Sequence, residues 1–339
     1  MKKVYVKDAI GMVLCHDITK IVPGEFKGRA FKKGHIIREE DIDELLSIGK
    51  EHIYVWEAEE GMLHENDAAE RIKNLVCGEG IKFGEIKEGK INFIAERNGL
   101  LKINKEKLLD INDLGEIIIA TIHNNTPVKE GELLGGTRVI PLVIDEKKII
   151  EAENLINEKI IEVKEIKGKK VHMITTGSEV FHGRIKDAFG PAVKRKIEYY
   201  GCELVNQAIV DDKKEDIIRE IHKALDAGAE FIVCTGGMSV DPDDITPTAI
   251  KECGAELVTY GAPVLPGAMF LLAYYGDIPI VGLPGCVMYS KRTIFDIVLP
   301  RILADEKLKR RDISELGHGG QCLDCKVCTF PHCSFGKGV

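Results

Sequence analysis

The sequence predicts an α/β protein whose main domain is a three-layer, doubly wound, mostly parallel sheet, preceded by smaller mixed α+β or β domains. Three observations predict it. Between about residues 170 and 305, apolar strand-like runs alternate with helical patterns, which is the signature of strand–helix–strand units. Glycine-rich loops follow Thr176 and Thr235, at the strand ends where ligands sit in such sheets. Ile217, Ile218, Ile221, Ala224 and Leu225 recur at helical spacing, and Gly228 closes that helix.

In chain order, residues 1–57 carry short alternating strands broken by Gly11, Gly24, Gly28 and Gly34, with one helical stretch, EEDIDELLSIGK; they read as a small mixed domain. Residues 58–166 read as a second mixed domain. It opens on a helix presenting Ala68, Ala69, Ile72, Leu75 and Val76, and continues through strands such as EIIIATIH and TRVIPLVI. Residues 167–307 form the main domain: strand KVHMITT, a helix over residues 191–200, strand ELVNQAIV, the amphipathic helix, strand 230–235, a short helix, AELVTYG, two core strands within PGAMFLLAYYGDIPIVGLPG, and a last helix carrying Ile294, Ile297, Val298 and Ile302. Residues 308–339 read as a flexible tether and a cysteine-cluster tail, on the strength of their charges and glycines.

Composition narrows the function. The chain has 339 residues and is 44% hydrophobic, long enough for several cores. Its 47 basic residues against 55 acidic ones give a net charge of -8, which argues against a broad nucleic-acid surface. The N-terminus lacks the apolar run of a signal peptide, and no stretch reaches the roughly 20 apolar residues of a membrane span. A cytoplasmic location follows as an expectation, and the 10 cysteines are then expected to be thiols or metal ligands rather than disulfides.

In CTGGMSVDPDDITPTAI, Gly236 and Gly237 allow a tight turn with bare amide N–H groups, suited to a phosphate. Thr246 followed by Pro247 reads as a helix cap and first turn, which puts Asp244 at the rim of the same pocket. A carboxylate beside a phosphate needs a cation between them, and Mg2+ is commonly held by one or two carboxylates plus phosphate. Asp241 and Asp243 read as turn caps, a reading also open for Asp244. In TTGSEVFHGRIKDAFGPAV, the small donors Thr175, Thr176, Gly177 and Ser178 stand with the carboxylates Glu179 and Asp187. GLPGCVMYSKR places Gly282, Pro284, Gly285 and Ser290 at a third strand-to-helix junction, and the three junctions are expected to converge on one crevice.

TTGSEV, GRIKDAFGP, TGGMSVDPDDITPTA, PGAMF and GLPG resemble the molybdopterin-binding domain of molybdenum-cofactor biosynthesis proteins. The Asp-Ile-Thr-Pro at residues 244–247 is similar to the adenylyltransferase branch, whereas the Gly-Gly-Met-Ser-Val at 236–240 is similar to the molybdate-inserting, molybdenumtransferase-like branch. The resemblance implies a domain that binds the phosphate and pterin of molybdopterin or adenylated molybdopterin, with Mg2+ at the reacting centre and ATP or molybdate as co-substrate. Carried over by motif, Thr176, Gly177, Ser178, Gly236, Gly237, Ser239, Thr246, Pro284 and Gly285 would bind the cofactor, and Asp187 and Asp244 would be catalytic. The chain departs from the family at Asp241, where the inserting branch has glycine, and at Thr248, where the adenylyltransferase branch has glutamate. Related proteins are oligomers, which implies a homo-oligomer here.

Cys322, Cys325, Cys328 and Cys333 follow the pattern CxxCxxCxxxxC. The first three match the ferredoxin-type run for a [4Fe-4S] cluster, while the longer fourth spacing leaves Zn2+ and plain thiols open. His332 is a possible substitute ligand or plain surface, and the remaining cysteines, Cys286 included, read as packing residues. The sequence thus points to a molybdopterin-binding protein acting in cofactor maturation, by Mg2+-assisted adenylyl transfer or molybdate insertion. A non-catalytic carrier or sensor whose tail reports redox state or docks a molybdoenzyme, and a nucleotide-processing enzyme on the same domain, stand as alternatives.

Overall fold

The computed structural model describes residues 2–22, 24–55, 61–242 and 244–338. The expected boundary at residues 57 and 58, and Asp243, lie outside them. The chain divides into two compact units, one of Met1–Glu96, Ile103–Ile122 and Glu130–Glu162, the other of Arg97–Lys102, His123–Lys129 and Val163–Val339.

In the first unit, Lys2–Tyr5 pairs antiparallel with His52–Val55, and Ile18–Val22 forms a hairpin with Phe26–Phe31. Helix Asp41–Ser47 turns Ile42 and Leu45 onto that core. A four-stranded sheet follows, in the order Ile81–Phe83, Lys90–Ala95, Leu133–Val139, Ile117–Thr121. Helix Glu65–Val76 buries Ala68, Ala69, Ile72 and Val76, four of the five positions its periodicity selects, because residues three and four apart share one face.

The second unit holds the predicted α/β domain. Its six strands run in the order Glu203–Val210, Lys170–Thr176, Phe231–Thr235, Ile278–Leu283, Leu271–Tyr275, Glu256–Tyr260. The first four are parallel and the last two antiparallel. Alternation along the strands builds two cores. Val171, Met173, Phe231 and Val233 pack on one face with Val193 and Ile197 of helix Phe189–Glu198 and Phe295 and Val298 of helix Ile294–Leu303. Ile174, Ile232 and Cys234 pack on the other with Ile217 and Ile221 of helix Lys214–Asp226 and Ala249 and Ile250 of helix Thr246–Glu252. The sheet is therefore covered on both faces, as the strand-helix alternation requires.

The unit also differs from expectation in two places. Residues 97–102 and 123–129, read as part of the second mixed domain, belong to this unit, where Gly99, Leu100 and Leu101 pair antiparallel with Val128, Pro127 and Thr126. The stretch expected as a flexible tether is folded. Helix Arg310–Ser314 and residues Leu308, Ile313, Leu316 and Phe335 join the core that contains Val298 and Leu299. Leu265 N–H donates to the Gly320 carbonyl and Cys322 N–H to the Leu265 carbonyl, both at 2.8 Å. A Cβ on Gly320 would stand 2.3 Å from the Pro263 carbonyl, so this glycine serves close approach rather than freedom. Among the described residues, no helix is long and apolar enough to cross a membrane.

Candidate functional site

The strand order reverses between Lys170–Thr176, whose chain crosses to one side, and Phe231–Thr235 on its other side. Ligand crevices of doubly wound sheets form at such a switch point, outside the carboxyl ends of the strands. A cleft of about 800 Å³ lies there, lined by Thr176, Gly177, Ser178, Glu179, Lys186, Asp211, Asp212, Gly236, Gly237, Asp241, Asp244 and Met288 among others.

The glycine turn is dictated by its neighbours. Gly236 has φ +83°, and a Cβ there would lie 2.1 Å from the Thr176 carbonyl oxygen. Gly237 has φ +53°, and its Cβ would lie 2.9 Å from Thr246 Oγ1. No other residue can take both the left-handed backbone and this approach. Beneath the turn, Thr176 Oγ1 and Thr246 Oγ1 are 3.1 Å apart, and Thr235 Oγ1 donates to Thr175 Oγ1 at 3.2 Å. Thr246 does not cap its helix as expected. The helix starts at Thr246 itself, Ile245 is the cap position, and the buried Thr246 hydroxyl reaches Thr176 instead. Tyr260 OH donates to the Met238 and Ser239 carbonyls at 2.9 and 3.0 Å and fixes the outer part of the loop. Burial, with the Asp244 charge adding to it, keeps the Tyr260 phenol above its ordinary pKa.

The carboxylates divide by role. Asp244 lines the cleft, and its Oδ2 accepts the Asp241 N–H at 2.9 Å. Asp187 is engaged elsewhere: Oδ1 accepts the Phe189 N–H at 2.8 Å, while Oδ2 accepts the Gly190 N–H at 2.9 Å and Gln207 Nε2 at 2.7 Å. It satisfies the first N–H groups of helix Phe189–Glu198 and explains why that helix begins two residues before the expected start at 191. Asp187 is also not among the residues lining the cleft. Asp212 takes a place the sequence reading missed, lining the cleft and accepting the Ser178 N–H through Oδ2 at 2.7 Å. The signal that could have found it is its position just past strand Glu203–Val210, at the same sheet edge as the glycine loops.

The three-junction convergence is partial. Thr176, Gly177, Ser178, Gly236, Gly237, Asp241 and Asp244 come together, with Met288 from the third junction. Ser239, Pro284 and Gly285 do not line the cleft; Ser239 contributes its carbonyl to Tyr260, and Gly285 begins the short helical turn Gly285–Met288. Burial raises the Cys286 thiol above its ordinary pKa, in keeping with packing rather than nucleophilic use. Ser290 and Met288 instead line a neighbouring cavity of about 370 Å³ with Arg195, Lys196, Lys291 and Arg292.

In the tail, Cys322, Cys325, Cys328 and Cys333 line one small cavity of about 60 Å³ with Lys291, Arg292, Phe330 and Phe335. His332 is not among its lining residues. Among the described residues, no three His, Cys, Asp or Glu side chains are gathered closely enough to hold a single metal ion. Neither the cleft carboxylates nor the tail thiols form a ready single-ion cage.

The fold and cleft define the class: a doubly wound α/β domain with a glycine turn at its switch point, where such sheets form their ligand crevices. Sequence comparison then places it, since residues 172–304 match the family described as "Probable molybdopterin binding domain", and they form a domain of that family. Residues 3–57 match another, described as "Domain of unknown function (DUF8806)". The chain is 26% identical over 269 residues to the "Putative molybdopterin biosynthesis protein MJ0666" of Methanocaldococcus jannaschii, covering 73% of this chain and 66% of that one. It is 36% identical over 87 residues to a CinA-like protein of Mycobacterium avium, covering 25% of this chain and 20% of the relative. The chain thus spans about a fifth of the length of that CinA-like relative. Among solved structures, the molybdopterin biosynthesis enzyme MoaB of Thermus thermophilus aligns at 21% identity and TM-score 0.34, over 41% of this chain and 98% of that one.

Proposed function

We propose that the protein binds molybdopterin or adenylated molybdopterin and acts in molybdenum-cofactor biosynthesis. The observation that carries the reading is the Gly236–Gly237 turn, which opens onto a cleft lined by Glu179, Asp211, Asp212, Asp241 and Asp244 but by Lys186 as the sole lysine or arginine among its lining residues. The turn suits a phosphate, and a phosphate beside so many carboxylates is stable only with a cation between them. The donor set fits Mg2+, which takes one or two carboxylates and completes its shell with phosphate and water. Asp244 and Asp212 would hold it, and when bound it would neutralise phosphate charge and polarise the phosphoryl group for adenylyl transfer from ATP or displacement by molybdate.

This chain's own groups have distinct tasks. Thr176 and Thr246 set the glycine turn, and Ser178 N–H is held in place by Asp212. Asp187, with its oxygens on Phe189, Gly190 and Gln207, is a positioning residue for the helix beside the cleft rather than a group that touches the ligand. The second reading, a carrier that binds without turnover, is favoured by the Asp241 N–H closing onto Asp244, which occupies one carboxylate oxygen of the proposed reacting centre. We place the protein in the cytoplasm as a homo-oligomer. We read the tail thiols as metal ligands, iron–sulfur or zinc, available to a redox partner or molybdoenzyme.

Purified protein should bind molybdopterin, followed by quenching of pterin fluorescence. Asp244→Ala should lower ATP- or molybdate-dependent turnover by at least about tenfold more than it weakens binding, as expected for a group acting in the transition state. Turnover unchanged in that variant removes Asp244 from the mechanism, and tight binding with no turnover in the parent selects the carrier.

A further inference from the structure

We infer that the basic cavity between helices Phe189–Glu198 and Ile294–Leu303 binds a nucleoside monophosphate, its phosphate on Arg195, Lys196 and Arg292 and its base against Tyr199 and Tyr289 at the rim. The cavity holds about 370 Å³, and Tyr200, Lys291 and Asp296 complete its polar lining with Ser290. Met288 is the one residue common to this lining and that of the cleft. The site is additional to the function proposed for the cleft and does not rest on it.

The charges reverse those of the cleft, since Asp296 is the sole acidic residue in a lining with four basic ones. The buried Asp296 accepts from Lys196 Nζ on both oxygens, at 2.7 and 2.6 Å, and from Arg292 Nη1 at 3.0 Å. One carboxylate thus fixes two cations before any ligand arrives, which lowers the ordering cost of binding. Lys291 is engaged elsewhere, 3.5 Å from Asp324 and donating to the Cys325 carbonyl at 3.1 Å. Among the described residues, the Arg195 side chain has no hydrogen-bond or ion-pair partner. Three cations, Arg195, Lys196 and Arg292, less the one carboxylate leave a charge of +2. A phosphate monoester carries about −1.5 to −2 near pH 7, which matches it. The Tyr200 hydroxyl also has no partner among the described residues. Burial first, then Tyr199 and Asp296 beside it, push its pKa up, so it stays protonated and can donate to a phosphate oxygen. The rim points to a flat ring on that phosphate. Tyr199 and Tyr289 are 67% and 78% exposed, and Tyr199 is braced edge to face against Tyr200 with ring centroids 4.9 Å apart. Bases stack on such rings through their π-faces. The net charge of -8 disfavours a polynucleotide, so the occupant is a single nucleotide.

The test uses the full chain with AMP as the probe, in EDTA and without pterin, read by titration calorimetry. The acidic cleft needs Mg2+ to accept a phosphate and this cavity does not, so chelation separates the two sites. Binding of AMP to the parent is expected, with inorganic phosphate competing at lower affinity. Arg195→Ala should weaken AMP at least about tenfold, through loss of a charge-assisted hydrogen bond. Tyr289→Ala should weaken AMP at least about fivefold and leave phosphate affinity unchanged, through loss of a stacking face. Both side chains are exposed, so folding does not depend on them, and an unchanged thermal melt verifies this. Lys194→Ala, on the same helix but outside the cavity lining, should bind AMP like the parent. The proposal is overturned by a parent that binds no AMP in EDTA, by parental affinity in either cavity variant, or by equal weakening in Lys194→Ala. It is also overturned by AMP binding that appears only with Mg2+ and disappears in Gly236→Ala, which assigns the nucleotide to the cleft. Pterin titration and the turnover of Asp244→Ala test the cleft by themselves, so its function stands or fails independently of these outcomes.

Discussion

The hydroxyls of Thr176 and Thr246 meet 3.1 Å apart beneath the glycine turn, joining the end of one central strand to the start of the helix that follows the neighbouring strand. Both residues are at most 2% exposed, so neither hydroxyl has water as a substitute partner. Thr246→Val should cost about 1–3 kcal/mol, the penalty of leaving a buried hydroxyl unpaired. Adding Thr176→Val should cost less than the sum of the two single changes, since the pair is then apolar on both sides. Urea unfolding of the four members of the cycle measures it, and strict additivity would disprove the coupling.

Gly236→Ala tests the turn itself. The new methyl would meet the Thr176 carbonyl at 2.1 Å, and φ of +83° adds about 1–2 kcal/mol of left-handed strain. The turn must move, so pterin affinity should fall at least about tenfold, equivalent to about 1.4 kcal/mol. Fluorescence titration reads this, and parental affinity would detach the turn from binding.

Much of this was legible beforehand, and the limits have physical causes. The doubly wound sheet followed from the alternation of apolar strand-like runs with helical patterns between about residues 170 and 305, because both patterns are local properties. The tight turn at Gly236 and Gly237 was legible because a glycine pair directly after a buried strand admits a left-handed backbone. The engagement of Asp187 with the Phe189 and Gly190 N–H groups was not legible, because a capping carboxylate and a catalytic one look alike in sequence. The tail was read as a tether because glycine spacing does not tell freedom from close packing, which Gly320 against the Pro263 carbonyl demonstrates. Residues 97–102 and 123–129 escaped because pairing across two sequence-distant strands leaves no local pattern.

Asp187→Ala should behave as the loss of a helix cap. It leaves the Phe189 and Gly190 N–H groups without their carboxylate and should cost about 0.5–2 kcal/mol. Asp187→Asn retains one acceptor oxygen and should recover part of that loss. If turnover falls in parallel with stability in the alanine variant and returns in the asparagine variant, the positioning role holds; inactivity of Asp187→Asn at parental stability would restore a chemical one.

Docking of the tail rests on Arg301, which is 7% exposed and donates to Glu306 and Asp312, both at 2.8 Å. Arg301→Met leaves Asp312 without its cation and Glu306 with Lys102 alone at a mostly buried junction, and should cost about 1.5–3 kcal/mol. Brief proteolysis should then cut within residues 305–320 well before the α/β core. Equal resistance in parent and variant would show that the apolar contacts of Leu308, Ile313 and Phe335 suffice.

Glu65, at the start of helix Glu65–Val76, gives the first unit a pH dependence of definite sign. Burial is the largest cause, the Arg138 charge opposes it and Glu88 reinforces it, and together they push the carboxyl up to about 7. Its unfolded value is about 4.3, so the folded state binds the proton more tightly than the unfolded state does. The contribution to stability is fully present below about pH 4.3 and is lost as pH rises to about 7, over which range the unfolded chain releases the proton and the folded one retains it. At about 1.4 kcal/mol per pKa unit, the loss attributable to this group across that window is on the order of 3 kcal/mol. Glu65→Gln, which keeps the shape and cannot ionise, should remove it. Other carboxylates titrate in the same window with opposite sign, so the measurement is the difference between parent and variant, followed by urea unfolding at half-unit steps from pH 4.5 to 7.5. Parallel curves would show that Glu65 ionises alike in both states; a variant that gains on the parent steadily as pH rises, then levels off above 7, is the expected result.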